Sequence, residues 1–291
     1  MYESMLATDA GTSSDAGNLI LPGSCMIGRP DRGGAHILRI DAANLAAVSQ
    51  SPSLAGRTRG DEPAREMKLL VNEHQAREIE ARLSPFLALD PHADPTQGNS
   101  YRLSTLYCDT PQLDVLHRRG RYRLFKFRLR RYGNSDSIFL ERKSKRGTQV
   151  RKRRAQIEMA DLSYFDQASP PDLWDGAWYH RQVARNRFSP TCVIEYERVA
   201  YFGVSRTGPI RLTFDRNIHG GLRSEWSFDA LADSTRLLPG MVVCELKFRA
   251  ALPAMFKSVL QSMQLVPQGA SKYRGCLHAC GLAENGTLED A

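Results

Sequence analysis

The sequence predicts an α+β domain built on an antiparallel sheet or barrel, and two observations lead to this fold class. Many segments alternate apolar and charged residues with the period of two that is typical of β-strands. Fewer segments carry the apolar spacing of amphipathic helices, and they are interspersed among the strands. The chain of 291 residues, 42% hydrophobic and 25% charged, can bury a substantial core. We therefore expect one large domain plus a tail.

The composition changes near residue 65 and sets the expected domain boundaries. Residues 1–60 are rich in Ala, Gly, Ser, Asp and Pro and show no sustained hydrophobic period. Such a segment cannot bury enough apolar surface to fold, which predicts a disordered N-terminal tail. The folded domain is expected over residues 61–284, followed by a short C-terminal tail over residues 285–291.

The elements follow one another as strands with a few helices between them. Asn72 is a good N-cap and Gln75 stands where a capping box needs it, which predicts a helix over residues 72–83. Thr110-Pro111 predicts a short helix that ends before Gly120. Other helices are expected over residues 163–167, 177–187 and 252–263, the last with an apolar stripe that indicates core packing. The predicted strands cover residues 65–71, 101–108, 122–131, 137–143, 149–158, 192–201, 210–215 and 241–249.

The charged positions of the predicted strands fall on one face. In KFRLRRYG, Lys126, Arg128 and Arg130 alternate with Phe127 and Leu129, and neighbouring side chains on a strand face opposite ways. An open sheet with one solvated face would give the same pattern, so periodicity alone does not place the charges inside.

The choice of polar residue favours an inward-facing row of cations. Solvated strand faces use Thr, Ser, Gln and mixed charges, whereas nearly every polar strand position here is Arg or Lys with a few carboxylates. The net charge is +8, with much of the excess between Arg118 and Arg154. Buried like charges at this density are destabilising without counter-charges. If the sheet closes, its interior is therefore a cationic channel for an oligo-anion, because Arg and Lys suit phosphate oxygens.

The sequence argues against several other classes of protein. No run approaches the roughly 20 apolar residues of a membrane span, and the N-terminus lacks a basic segment followed by an apolar core. Six cysteines are spread thinly, with no CxxC pair, which favours a reduced, cytoplasmic protein without structural zinc. Nucleic acid is not an expected partner, because base stacking needs exposed aromatic residues among the cations, and Phe125 and Phe127 fall on the apolar face.

A set of motifs resembles one known family. In chain order the motifs are EMKLLV, LYCDT, FRLRRYG, FLERKSKRG, VRKRRA, EYERVAYFG, IRLTFDRNI, CELKF and SKYRG, and they run from about Arg65 to Leu282. Together they resemble the VTC domain, the polyphosphate polymerase domain of the vacuolar transporter chaperone family, within the wider triphosphate-tunnel (CYTH-like) superfamily. The resemblance implies an antiparallel β-barrel tunnel with flanking helices, and an enzyme that transfers the γ-phosphate of ATP to inorganic polyphosphate.

The resemblance also implies roles for individual residues. Glu245 is expected to bind a divalent metal ion, Mn²⁺ or Mg²⁺. The catalytic set is expected to comprise Arg128, Arg130, Lys143, Arg198 and Lys272. Further contacts to substrate phosphates are expected from Lys68, Lys126, Arg151, Arg153, Tyr196, Arg211 and Lys247.

Two departures from the family pattern bear on the reaction and its partners. The triphosphate hydrolases of the superfamily begin with a Glu-x-Glu-x-Lys pattern, whereas here Ala64 precedes Glu66 and Lys68; this favours the polymerase branch. The sequence also lacks the helical inositol-phosphate-sensing domain and the membrane helices frequent in the family. A separate membrane or regulatory partner is therefore compatible with this chain.

Three functions remain open at this point. The first is ATP-dependent polyphosphate synthesis. The second is hydrolysis of triphosphates or polyphosphate on the same tunnel, with water as the nucleophile. The third is non-catalytic binding of polyphosphate, which needs the basic face but not Glu245. Glu66, Glu141 and Asp215 are interpreted as ion-pair partners of the basic side chains rather than as metal ligands.

Overall fold

A single ten-stranded sheet forms the framework of the protein. The structure, a computed structural model, describes residues 64–146 and 149–282, so both predicted tails lie outside the described residues. Every pairing between its strands is antiparallel. The strands are β1 (Ala64–Asn72), β2 (Ala88–Leu89), β3 (Ser100–Asp109), β4 (Phe125–Tyr132), β5 (Ser137–Arg146), β6 (Gln149–Glu158), β7 (Ser189–Ser205), β8 (Gly208–Leu222), β9 (Thr235–Arg236) and β10 (Met241–Arg249).

The sheet curls until its far ends approach each other. Its hydrogen-bonded order is β1-β10-β8-β7-β3-β4-β5-β6, with β2 added to β7 and β9 added to β8. Within the described residues no backbone pairing joins β1 to β6, so the sheet is not closed. Even so, Lys143 Nζ on β5 lies 3.5 Å from Glu66 Oε2 on β1. The expected antiparallel tunnel is therefore confirmed, with an ion pair rather than a backbone ladder where the ends meet.

Four α-helices of the described chain pack on this sheet, the first three on its convex side and the fourth against its concave side. They are α1 (Glu73–Leu83), α2 (Ala177–Asn186), α3 (Ala254–Ser262) and α4 (Lys272–Ala279). The predicted capping box starts α1: Asn72 Oδ1 accepts from Gln75 N at 2.8 Å, and Gln75 Oε1 accepts from Asn72 N at 3.1 Å. Within the described residues, none of the helices has both the length and the apolar character needed to cross a membrane.

The apolar positions of the strands pack against these helices. Ile79 of α1 and Phe256 of α3 join Leu69 of β1 and Phe214 of β8 in one buried cluster. On the other part of the sheet, the rings of Phe127 on β4 and Tyr179 on α2 lie 5.4 Å apart. Because these apolar residues alternate with the charged ones, packing the helices on one face leaves the charged residues on the opposite face.

A bulge in β8 follows two neighbouring charges that face opposite sides of the sheet. Arg216 pairs with Glu197 and His219 with Glu195, so β8 carries one extra residue there, and Asn217 has a φ of 49°, a conformation that Asn tolerates. Arg216 turns outward to α1, where its Nε lies 3.2 Å from the carboxylate of Glu73. The preceding residue, Asp215, stays on the charged face.

The predicted short helix after Thr110 is wrong. Residues 111–119 form turns, and the helical segment that follows them is the 3₁₀ helix Gly120–Leu124. Because this helix precedes β4, the strand begins at Phe125 and not at Tyr122 as expected. The buried carboxylate of Asp109 accepts hydrogen bonds from the backbone N–H groups of Val115 at 2.8 Å and Leu116 at 2.9 Å. A side chain that accepts hydrogen bonds from backbone N–H groups in this way takes the place of helical hydrogen bonds.

The segment expected as a helix over residues 163–167 belongs to the 3₁₀ helix Met159–Asp166.

Candidate functional site

The concave face of the sheet carries the charged residues, and we call it the inner face. It is defined by Lys68 on β1, Glu245 on β10, Arg198 on β7, Arg130 on β4 and Glu141 on β5. Cross-strand register brings these side chains together: Lys68 lies opposite Glu245, and Arg128 lies opposite Glu141. Three groups of ion pairs line this face.

The first group is centred on Asp215, which is buried. Its carboxylate accepts hydrogen bonds from Arg198 Nε at 2.6 Å and Nη2 at 2.8 Å, and from Lys272 Nζ at 2.6 Å. Lys272 is the first residue of α4, and its Nζ also lies 4.7 Å from the ring centroid of Tyr196. Burial acts to raise the pKa of Asp215, but Arg198 and Lys272 lower it below the ordinary value. This group holds α4 against the inner face.

The second group is centred on Glu141, whose side chain is 2% exposed. Arg128 Nη2 and Lys152 Nζ each lie 2.7 Å from its carboxylate. Burial acts to raise the pKa of Glu141, but Arg128, Arg130 and Lys152 hold it well below its usual range. Glu141 is therefore an anion that fixes the positions of two cations.

The third group lies where the two ends of the sheet meet. Lys247 Nζ lies 2.6 Å from Glu245 Oε1 and 3.7 Å from Glu66 Oε2, and Glu66 also faces Lys68 at 3.4 Å. Burial acts to raise the pKa of Glu245, but Lys247 foremost holds it well below its usual range. The pKa of Glu66 is lowered as well, because Lys247, Lys143 and Lys68 outweigh burial and the repulsion from Glu245.

Arg130 differs from the other buried arginines of the inner face. It is 7% exposed, and its hydrogen-bond partners are hydroxyls: Thr105 Oγ1 at 3.3 Å from Nε and Tyr196 Oη at 3.3 Å from Nη2. Among the described residues no carboxylate lies within 4.0 Å of its guanidinium. Burial acts to raise the pKa of Tyr196, but Arg130 and Arg198 lower it. A buried cation with neutral partners is costly, and a bound anion would complete its environment.

Oxygen donors near Glu245 fit a divalent cation. Thr213 lies opposite Glu245 in the register, and its buried Oγ1 has no hydrogen-bond partner. Glu66 is close enough to Glu245 for their charges to interact. Within the described residues no group of three or more His, Cys, Asp or Glu side chains could hold a metal ion. These donors suit an ion such as Mg²⁺, which is commonly held by one or two carboxylates together with substrate phosphates.

Most of the sequence-predicted residues are brought together. The structure places ten of them on or against the inner face: Lys68, Arg128, Arg130, Lys143, Tyr196, Arg198, Arg211, Glu245, Lys247 and Lys272. Lys126 lies at the exposed start of β4, opposite Lys143. Their roles in binding and catalysis stay predictions.

Arg151 and Arg153 need a correction, because the structure does not bring them to the inner face. On β6, Arg153 pairs with Arg142 and Arg151 with Ser144, whereas Lys152 pairs with Lys143 and Arg154 with Glu141. Lys152 and Arg154, which were not among the predicted site residues, are thus the inner residues of β6. The guanidinium of Arg154 lies 3.6 Å from the ring centroid of Phe139.

The sequence analysis did not predict the partners of Arg211 at the inner face. Arg211 Nη2 lies 3.3 Å from Asp90 Oδ2 and 3.3 Å from Tyr101 Oη. Asp90 follows the two-residue strand β2, and no periodicity marks so short an element. The alternation of β8 predicted the direction of Arg211 but could not identify this partner.

The fold and the inner face together define a class of protein. Its members are antiparallel tunnels lined by cations and buried carboxylates. The chain belongs to the VTC domain family, whose model matches residues 63–280. The family resemblance seen in the sequence motifs is thereby confirmed. No curated protein matches the chain.

Solved structures with a similar arrangement come from several organisms. A candidate adenylate cyclase from Bacillus halodurans is 12% identical with a TM-score of 0.46, over 73% of this chain and 97% of that chain. A candidate adenylyl cyclase from Hippeastrum, described as having a dominant triphosphatase activity, is 15% identical with a TM-score of 0.42, over 76% and 97% of the two chains. A protein from Pyrococcus horikoshii is 12% identical with a TM-score of 0.32, over 69% and 87%.

Proposed function

We propose that this domain binds polyphosphate and ATP on its inner face and transfers the γ-phosphate of ATP to the growing chain. The observation that carries the proposal is Arg130, a buried guanidinium with only hydroxyl partners, set among cations that carboxylates already hold in place. Arginine forks bind phosphate oxygens in pairs, so an oligophosphate would supply the missing anionic partner. Membership of the VTC domain family supports the same ligand.

The residues of the inner face suit phosphoryl transfer. This reaction depends on positioning and on neutralising the charge of the phosphates, with little covalent chemistry for the protein. Arg128 is fixed by Glu141, and Arg198 and Lys272 are fixed by Asp215, so their donors are positioned before the substrate arrives. A terminal phosphate oxygen of the chain, which is already ionised, attacks the γ-phosphorus of ATP, and the bond to the β–γ bridging oxygen breaks to release ADP. No general base is therefore required.

A divalent ion would bind at Glu245, with Thr213 beside it. When bound, Mn²⁺ or Mg²⁺ would neutralise charge on the phosphate oxygens. Lys247, at 2.6 Å from Glu245, would keep that carboxylate ionised and directed into the face. Separate membrane or regulatory partners are compatible with this proposal and form no part of it.

Product analysis tests the proposal. Purified protein is incubated with γ-labelled ATP and either Mn²⁺ or Mg²⁺, and the labelled products are separated on a gel. A ladder of long labelled chains is the expected result. Labelled orthophosphate alone would replace the proposal with hydrolysis, and binding of tripolyphosphate without any product would leave a binding module.

A matched pair of variants ties any product to the inner face. Arg130→Gln is expected to abolish the ladder, because it removes the buried guanidinium. The neighbouring Arg131→Gln is the control, because Arg131 turns away from the inner face and its Nε donates to the carbonyl of Ser135 at 2.8 Å. Equal loss in both variants would contradict the assignment of the inner face as the site.

A further inference from the structure

The outer face of β5 and β6 carries a second group of arginines, which we call the outer arginine cluster and define as Arg142, Arg153 and Arg181. Arg142 on β5 and Arg153 on β6 lie directly opposite each other in the register. Like charges in directly opposite positions destabilise a sheet. Such a pair therefore needs a compensating partner.

Trp178 holds one member of this cluster in place. The guanidinium of Arg153 lies 4.1 Å from a Trp178 ring centroid, a stacked geometry that leaves the edge of the fork free for other bonds. Trp178 and Arg181 are three residues apart on α2, so they are neighbours on the helix surface. The helix thus adds a third cation beside the pair.

The cluster lacks the carboxylates that balance the inner face. Arg142 Nε is buried without a hydrogen-bond partner. In the described part of the chain no Asp or Glu lies within 4.0 Å of Arg142, Arg153 or Arg181. Partial desolvation, followed by the charges of Arg142 and Arg181, lowers the pKa of the largely exposed Arg153. On the inner face, by contrast, the carboxylate of Glu141 on β5 forms ion pairs with Arg128 of β4 and Lys152 of β6.

β6 connects the two faces. It is the last strand of the hydrogen-bonded order, and no described strand pairs with its other edge. Its side chains alternate across this edge, with Lys152 and Arg154 on the inner face and Arg151 and Arg153 on the outer face. β6 therefore presents cations on both faces of the sheet beside this edge.

We propose that the outer arginine cluster is a second binding site for phosphate groups, occupied by the same oligophosphate chain that lies on the inner face once that chain is long enough to pass around β6. The ligand class, inorganic oligophosphate, rests on the proposed function. Forked guanidiniums suit closely spaced phosphates. The outer arginine cluster would therefore contribute to the binding of long polyphosphate chains and not to the binding of short ones.

Affinities for long-chain polyphosphate and for tripolyphosphate test this site. The double variant Arg142→Gln with Arg153→Gln is expected to bind long chains about tenfold more weakly than wild type, or ~1.4 kcal/mol, with tripolyphosphate affinity unchanged. The control is Arg206→Gln with Arg236→Gln, which removes the same charge from exposed positions outside β5, β6 and α2. It should leave both affinities unchanged.

Several results would overturn the proposal. If the Arg142→Gln with Arg153→Gln variant binds long chains as tightly as the control variant does, the cluster is not a binding site. Its charges would then serve to prevent the edge strand β6 from pairing with another strand. An equal loss of single-stranded DNA binding would indicate an unspecific basic surface. If the first variant does not fold, Arg153→Gln with Arg181→Gln, both exposed, is measured instead against the same control.

The test separates this site from the proposed function. If wild type does not bind tripolyphosphate, the inner-face proposal fails. A loss of long-chain binding confined to the cluster variants would then show that the outer cluster binds polyphosphate, but not through a chain shared with the inner face.

Discussion

Arg130 is a buried cation of the inner face whose hydrogen-bond partners are neutral. Its guanidinium is buried and donates hydrogen bonds only to the hydroxyls of Thr105 and Tyr196, and its charge acts on Glu141 without an ion-pair contact. Removing a buried cation that forms no ion pair also removes the desolvation cost of burying its charge. Arg130→Gln should therefore melt at or above the wild-type temperature. Its tripolyphosphate affinity should fall about ten- to a hundredfold, since hydrogen bonds to charged groups contribute about 1.5–3 kcal/mol.

Calorimetric titration and thermal melting of Arg130→Gln check both parts of this prediction. Arg131→Gln serves as the control and should retain the wild-type affinity. A large drop in melting temperature with unchanged affinity would make Arg130 a structural residue.

A substitution at Glu245 distinguishes an enzyme from a binding module. Glu245→Gln keeps the side-chain shape but removes the charge, so one negative charge facing the substrate is lost and the ligand for the metal is weakened. This variant should fold, bind tripolyphosphate at least as tightly as wild type, and lose nearly all metal-dependent turnover of ATP. Calorimetry and the product gel measure the two properties separately. Turnover at the wild-type rate would remove Glu245 from the active site.

At the scale of elements, the sequence predicted the positions of the strands better than the contacts between their side chains. The predicted bounds of β1, β6 and β10 agree with the structure within one residue, and alternation predicted the inner positions of β4, β8 and β10, because one face had to be apolar. On β6 the sequence RKRR has cations on both faces, so alternation could not distinguish Arg151 and Arg153 from Lys152 and Arg154. Only the pairing of β6 with β5 decides this.

Asp215 links three elements, because it lies on β8 and binds Arg198 on β7 and Lys272 on α4. Its pKa is below the ordinary 3.8, so its stabilisation is present above about pH 4 and is lost as pH falls. Asp215→Asn should lower the free energy of unfolding by about 3–5 kcal/mol at pH 7, because two buried cations lose their partner. The difference from wild type should shrink below about pH 4.

Denaturant unfolding at several pH values measures this difference. Asp172→Asn, at an exposed carboxylate, is the control and should match wild type at every pH. A difference between Asp215→Asn and wild type that persists undiminished at pH 3 would contradict the ion-pair explanation.

For the whole molecule, the inner face carries more cations than its carboxylates neutralise, and a ligand that fills it should stabilise the fold. A ligand that binds only the native state adds RT ln(1 + [L]/Kd), or about 2.7 kcal/mol at a hundredfold excess over Kd. Tripolyphosphate at that excess should raise the melting temperature by about 5–10 °C, since 1 kcal/mol shifts a domain of this size by about 2–4 °C. Sodium chloride at matched ionic strength controls for screening and should give little of this shift. Arg130→Gln should respond less to the same concentration of tripolyphosphate. If the melting curve of wild type moves no further in tripolyphosphate than in chloride, the inner face does not bind oligophosphate.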